Sequence, residues 1–119
     1  MQKPTSLHVE KPWGSFTQYA FNEQCTVKIL TCNPGQRLSL QRDRNRHELW
    51  VALDNGAVVE LDDKVLTPDA GTELWLPAGS IHRLSCAEGV NHPVRIMEVS
   101  YGVFDENDIE RLEDVYGRN

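Results

Sequence analysis

Long apolar runs are missing from this chain: none of its 119 residues belongs to a stretch approaching the roughly 20 that a membrane-spanning helix needs. That excludes a helical membrane protein and makes a membrane partner unexpected. Met1-Gln2-Lys3-Pro4-Thr5-Ser6-Leu7-His8 lacks the apolar centre and small-residue cleavage site of a secretory signal, so the cytoplasm is the expected compartment. Positive charge is also short. Twelve basic residues against eighteen acidic ones leave a formal charge of −6, which repels a polyanion and argues against a nucleic-acid partner. Locally the sign reverses at Arg37, Arg42, Arg44 and Arg46, and at least half of these read as a solvated loop face. Cysteine is sparse and unpaired in pattern: Cys25, Cys32 and Cys86 form no Cys-x-x-Cys. On one strand, Cys25 and Cys32 would stand about 23 Å apart, beyond disulfide reach, so reduced thiols are expected. Internal repeats and low-complexity segments are absent as well.

What is present is the composition of one soluble globular domain, 39% hydrophobic and 25% charged. Residues 1–9 read as an N-terminal arm and 10–119 as the single domain. Pro12 and Gly14 bracket Trp13 before a strand from Ser15 to Phe21, and a second strand runs from Gln24 to Cys32 until Asn33-Pro34-Gly35 stops it. Leu38 and Leu40 alternate with Ser39 and Gln41, the period of a half-buried strand. A loop follows from Arg42 to Arg46, then β character from Glu48 to Leu53. Asp54-Asn55-Gly56 reads as a hairpin turn into Ala57–Leu61. Short strands follow at Val65–Thr67, Glu73–Leu76, Ile81–Cys86 and Pro93–Tyr101, the last with an ambiguous phase because Arg95, Met97 and Glu98 interrupt it. Strands at intervals of about 8–12 residues indicate a sandwich or barrel. One short C-terminal helix is expected from about Asn107 to Val115, with Asp105 or Asn107 as its N-cap and Ile109, Leu112 and Tyr116 on one face.

The stretch from Pro34 to Trp50 departs from core-building, because polar side chains crowd a segment bounded by apolar ones. Gln41 and Asp43, two apart on a strand, point to one face, and Glu48 can return to it from the next strand. Taken singly, a Gln beside a turn is solvated, an Asp there caps backbone N–H groups, and a lone His is a hydrogen-bonded core residue. The spacing favours a shared site. Gly35 is followed after five residues by Gln41-x-Asp43 and then Glu48, and Gly71 after five residues by Pro77-x-Gly79 and His82. This resembles the two signature motifs of the cupin superfamily, and it implies an all-β cupin double-stranded β-helix, or jelly-roll barrel. A closer likeness runs through Glu10-Lys11-Pro12-Trp13-Gly14, Pro34–Gln41, Leu76–Leu84 and Asn107–Arg118. These segments resemble the type II mannose-6-phosphate isomerase domain, which in many members is fused to a mannose-1-phosphate guanylyltransferase. No nucleotidyltransferase region stands in these residues, so that activity is not expected of them.

The resemblance implies a divalent metal held by Gln41, Asp43, Glu48 and His82, and isomerisation of mannose 6-phosphate and fructose 6-phosphate. It also implies Glu48 and Arg111 as catalytic groups and Lys28 and Arg46 as substrate-binding ones, although an exposed charge is an equal reading for Lys28, Arg46 and Arg111. The family pattern Gln-x-His-x-x-Arg-x-Glu-His-Trp appears here with Asp43 and Leu49 in place of its histidines. Zinc suits the family set, whereas three oxygens and one nitrogen shift the preference toward manganese or magnesium. His47 faces the wrong side of a regular strand to compensate. Trp50 and Trp75 read as core. Two functions remain open: a phosphosugar isomerase, and a cupin that binds a sugar or phosphosugar without turnover. Because cupins pair through sheet edges, a homodimer is expected under either.

Overall fold

A computed structural model describes residues 1–105 and 107–118. Eleven strands make up the architecture: β1 (Leu7–Lys11), β2 (Gly14–Gln18), β3 (Cys25–Cys32), β4 (Leu40–Asp43), β5 (His47–Ala52), β6 (Ala57–Leu61), β7 (Lys64–Leu66), β8 (Glu73–Leu76), β9 (Ile81–Cys86), β10 (Val94–Tyr101) and β11 (Ile109–Glu113). β1 and β2 form a hairpin of their own. The rest divide into a four-stranded sheet, ordered β3-β10-β5-β8, and a five-stranded sheet, ordered β11-β4-β9-β6-β7. Every pairing is antiparallel.

The main core lies between the two sheets. Cys32, Trp50, Ala52, Leu76, Val94 and Ile96 meet Ala57, Val59 and Leu84 from the facing sheet. A second apolar layer covers the outer side of the four-stranded sheet, where Leu49, Val51, Val99 and Tyr101 pack against Tyr19 and Ala20 of the segment leaving β2. β5 and β10 are therefore buried on both faces, which masks a simple in/out alternation in their sequences.

Register resolves the phase of β10. Ile96 lies across from Ala52 and Leu30, Glu98 across from Trp50 and Lys28, and Ser100 across from Glu48. Its inward residues thus run Val94, Ile96, Glu98, Ser100, from apolar to polar. The inward residues of β5 run in parallel fashion from Ala52 through Trp50 to Glu48. One end of the interior is hydrocarbon and the other is charged.

Two expectations are corrected. Among the described residues there is no helix, so none is long and apolar enough to cross a membrane, and the segment expected to be helical is β11. Its apolar residues Ile109 and Leu112 lie three apart, the spacing of a helix, and in the strand Leu112 falls at a register shift and is left 39% exposed. What decides is β4, which would otherwise be an open edge: Ile109 pairs with Asp43 and Arg111 with Gln41, while Glu110 turns outward to Arg42 at 2.9 Å and Arg44 at 2.6 Å. Tertiary pairing overrides a weak local propensity. Asp108, inside the segment expected to be helical, instead accepts the N–H groups of Arg44 and Asn45 at 3.1 and 2.9 Å and so caps the β4–β5 turn. Likewise Asp54-Asn55-Gly56 closes no hairpin, because β5 and β6 belong to different sheets and the turn carries the chain between them. The Asp54 carboxylate accepts from the Arg95 backbone and side chain, and the Asn55 side-chain oxygen accepts from Ala70 N–H.

Candidate metal centre at the polar end of the barrel

Three buried side chains converge where β4, β5 and β9 come together. Asp43 ends β4, and Glu48 and His82 are the second residues of β5 and β9. His82 Nε2 lies 3.6 Å from Asp43 Oδ2 and 3.8 Å from Glu48 Oε1, and the three ligating atoms all fall within 4.8 Å of one another. Gln41 pairs directly with His82 across the β4–β9 ladder, and its side-chain oxygen accepts from the Ser39 hydroxyl at 2.7 Å. The Pro77-Ala78-Gly79 turn is docked onto this corner. Gly79, at φ +85°, donates its N–H to the Asp43 carbonyl at 2.8 Å, a backbone conformation that a side chain would strain.

The hydrogen bonds orient the donors. His82 Nδ1 faces the Ser80 carbonyl at 3.3 Å, which assigns the ring proton to Nδ1 and leaves Nε2 with its lone pair toward the carboxylates. Asp43 Oδ2 and His82 Nε2 are both buried without a hydrogen-bond partner. Lone pairs facing each other in a buried interior repel unless a cation or a hydrogen-bond donor lies between them. Two atoms each about 2.1 Å from one ion at a tetrahedral angle stand about 3.4 Å apart, close to the separations seen here. The donor set therefore fits a divalent metal.

Charge in this interior is dense. Burial, and then the neighbouring Glu48 carboxylate, push the Asp43 carboxyl up to about 7, against the pull of Arg46. Burial and Glu48 also push Glu98 up to about 7. Burial moves His82 the other way, below the usual imidazole value. The Ser100 hydroxyl lies 3.0 Å from Glu98 Oε1 and 3.4 Å from Glu48 Oε2, and with one proton it donates to only one of them at a time.

Each residue nominated from sequence has a definite place. Asp43, Glu48 and His82 come together, and Gln41 stands beside His82 on the neighbouring strand. Arg111 shares the inward face of β11, and its Nε is buried without a hydrogen-bond partner. Lys28 lies across from Glu98 with Nζ 4.1 Å above the Phe104 ring. Arg46 is 6% exposed and lies among the carboxylates. His47 faces outward as expected: its Nδ1 accepts from Ala78 N–H at 2.9 Å and its ring stacks on Trp75. Leu49 is fully buried in the outer apolar layer, so this departure from the family pattern removes nothing from the interior. Trp50 is core and also part of the site, because its indole N–H donates to Glu48 Oε1 at 3.1 Å and its ring meets His82 edge-on. Sequence reasoning did not nominate Glu98, Ser100 or Phe104. Polar residues two apart inside an otherwise apolar strand, the pattern already seen at Gln41 and Asp43, were the signal for the first two.

Comparison with known proteins gives a family and a fold. The chain is 40% identical over 117 residues to the alginate biosynthesis protein AlgA of Pseudomonas aeruginosa, covering 96% of this chain and 24% of that protein. It is 35% identical to the xanthan biosynthesis protein XanB of Xanthomonas campestris, covering 92% and 23%. It is 33% identical to the mannose-1-phosphate guanylyltransferase ManC of Salmonella typhimurium, again covering 92% and 23%. The chain thus spans about a quarter of the length of these relatives. In structure it resembles the capsular polysaccharide assembling protein CapF of Staphylococcus aureus, with a TM-score of 0.65 at 18% identity over 92% of this chain and 34% of that one. A Klebsiella pneumoniae protein with a double-stranded β-helix domain gives the same TM-score at 16% identity over 79% and 78%. These structural likenesses show the fold, a double-stranded β-helix. The family model described as mannose-6-phosphate isomerase C-terminal matches residues 2–114, and the chain belongs to that family.

Proposed function

We propose that this domain isomerises mannose 6-phosphate and fructose 6-phosphate with the help of a divalent cation held by Gln41, Asp43, Glu48 and His82. The observation that carries the reading is the facing pair of unpartnered acceptors, Asp43 Oδ2 and His82 Nε2, beside Glu48 Oε1. A cation bound there would polarise a sugar carbonyl or hydroxyl oxygen and lower the cost of an enediolate. Oxygen-rich ligation favours manganese or magnesium over the zinc that the family resemblance implies.

Glu48 is committed on both oxygens, to Trp50 on one and to Arg46 and Ser100 on the other, so its part is ligation. The proton that moves between C2 and C1 needs another group, and Glu98, the remaining inward carboxyl, takes that role in this reading. Glu98→Gln is expected to lower kcat by about 100-fold or more while metal content stays at the wild-type level. Lys28 and Arg111 are the cations assigned to the phosphate and to negative charge on sugar oxygen.

The test is turnover of metal-defined protein together with elemental analysis. A stoichiometric divalent metal and interconversion of the two phosphosugars are expected. Absence of turnover with Zn²⁺, Mn²⁺, Co²⁺ and Mg²⁺ defeats the enzyme reading. The buried ion pair between Asp43 and Arg46 favours a second reading, a cupin that binds a phosphosugar without turnover. Under that reading Asp43→His, which restores the family's imidazole, creates activity that the unmodified chain lacks.

We also propose that two copies of the chain pair. Support comes from β3, an eight-residue edge strand whose outward Val27 and Ile29 are 56% and 57% exposed, and from the β1–β2 hairpin, whose tip carries Trp13 at 73% exposure.

A further inference from the structure

Arg46 sits in the turn between β4 and β5, and each of its three guanidinium nitrogens already has an acceptor. Nη2 donates to Asp43 Oδ1 at 2.9 Å, Nε to Glu48 Oε2 at 3.0 Å and Nη1 to the Asp105 carbonyl at 3.1 Å. The guanidinium carbon lies 4.5 Å from the centroid of the Phe104 ring. A side chain so engaged and 6% exposed is poorly placed to receive a phosphate from solvent.

Its effect on the carboxylates is specific. Arg46 takes one oxygen of Asp43 and one of Glu48, and the oxygens it leaves, Oδ2 and Oε1, are the two that approach His82 Nε2. The planar fork spans both acids, so it sets their separation as well as the rotation of each carboxylate plane. Main chain from beyond β10 and the Phe104 ring lock the fork itself.

We propose that Arg46 is a positioning residue for the metal site: it clamps the outer oxygens of Asp43 and Glu48 and so aims their inner oxygens, with His82 Nε2, at one point where a divalent cation binds. The proposal rests on the metal reading above. It assigns Arg46 to the ligands rather than to the phosphate, which leaves Lys28 and Arg111 for the anion.

Charge and geometry make opposite predictions, and that makes the clamp testable. A guanidinium close to the site repels a second cation, so on charge alone its removal should tighten metal binding. Loss of a group that orients ligands weakens binding by about 10- to 100-fold. The experiment takes chelator-treated full chain, titrates it with Mn²⁺ alone and follows free Mn²⁺ by electron paramagnetic resonance, with a cooperative thermal melt confirming that each variant is folded. Arg46→Gln is expected to weaken Mn²⁺ binding by at least about 10-fold. Arg46→Lys keeps the charge and loses the fork, and is expected to weaken binding also. If Arg46→Gln does not fold, Arg46→Lys carries the test. Unchanged or tighter binding in the folded Gln variant, or wild-type affinity in the Lys variant, overturns the clamp while leaving the metal site in place. A wild-type chain that binds no divalent ion overturns the metal reading and the clamp with it.

Discussion

The residues of the polar interior set how stability depends on pH. Unfolded, an Asp or Glu titrates near about 3.9 or 4.3. Folded, Asp43 and Glu98 are pushed up to about 7, mainly by burial. Between those limits the folded chain holds protons that the unfolded chain has released, so these two groups make stability fall as pH rises. His82, lowered by burial, acts in the opposite sense between its folded value and about 6.5, but it counters two carboxyls with one imidazole. At the acid end, Glu110 is held down to about 2 by hydrogen bonds from Arg42 and Arg44, and Asp114 to about 2 by Arg118, so stability falls again as those groups are protonated. The melting temperature of metal-free protein is therefore expected to peak near pH 5 and decline by pH 8. Glu98→Gln should flatten that decline, and a divalent ion should restore the loss at pH 8. A midpoint that rises from pH 5 to pH 8 without metal would contradict the burial of these acids. At this scale the sequence was legible for Gln41 and Asp43, whose two-residue spacing requires a common face. It did not single out Glu98, because the strand carrying it is buried on both sides and Arg95 and Met97 beside Glu98 leave its phase ambiguous from sequence.

Among the elements, turns carry the most definite consequences. Gly56 lies at φ +98°, and a Cβ added there would meet Val90 Cγ2 at 2.9 Å and Val94 Cγ1 at 3.3 Å. Gly56→Ala is expected to destabilise the fold by about 1–3 kcal/mol, measured by denaturant unfolding, because it combines backbone strain with overpacking of two valines. A neutral result would mean that Val90, on its loop, yields at little cost. The Asn-Gly signal in the sequence correctly marked a turn. Its use as a sheet-to-sheet crossing rather than a hairpin was not encoded locally, since the partners of β5 are β8 and β10, which come later in the chain. β11 makes the same point. Ile109, Leu112 and Tyr116 have helical spacing, but the unpaired edge of β4 and the outward Arg42 and Arg44 recruit the segment as a strand.

For the whole molecule, two open features among the described residues lie on edges. The eight-residue β3 borders the four-stranded sheet with an apolar outer stripe, and the β1–β2 hairpin stands outside both sheets. An isolated two-stranded hairpin is marginal in water, so the hairpin is expected to gain cover when the chain pairs. Light scattering should report a dimer for the unmodified protein and a monomer for the double variant Val27→Lys, Ile29→Lys, with little change in melting temperature because both positions are exposed. A monomer in the unmodified protein would remove the pairing proposal.

By itself the sequence determined that this is a chain of short strands, that Gln41 and Asp43 share a face, and that Gly71, Pro77, Gly79 and His82 lie at turn-and-strand spacing. These are local matters of side-chain period and backbone freedom. Only the tertiary structure decided that β11 is a strand, that β10 turns Glu98 and Ser100 inward, that Leu49 lies outside the site, and that Arg46 holds the carboxylates. Each of these depends on a partner far along the chain, as when Arg46 bonds to main chain 59 residues away. Local periodicity records which residues can share a face, whereas burial and edge pairing choose which faces meet.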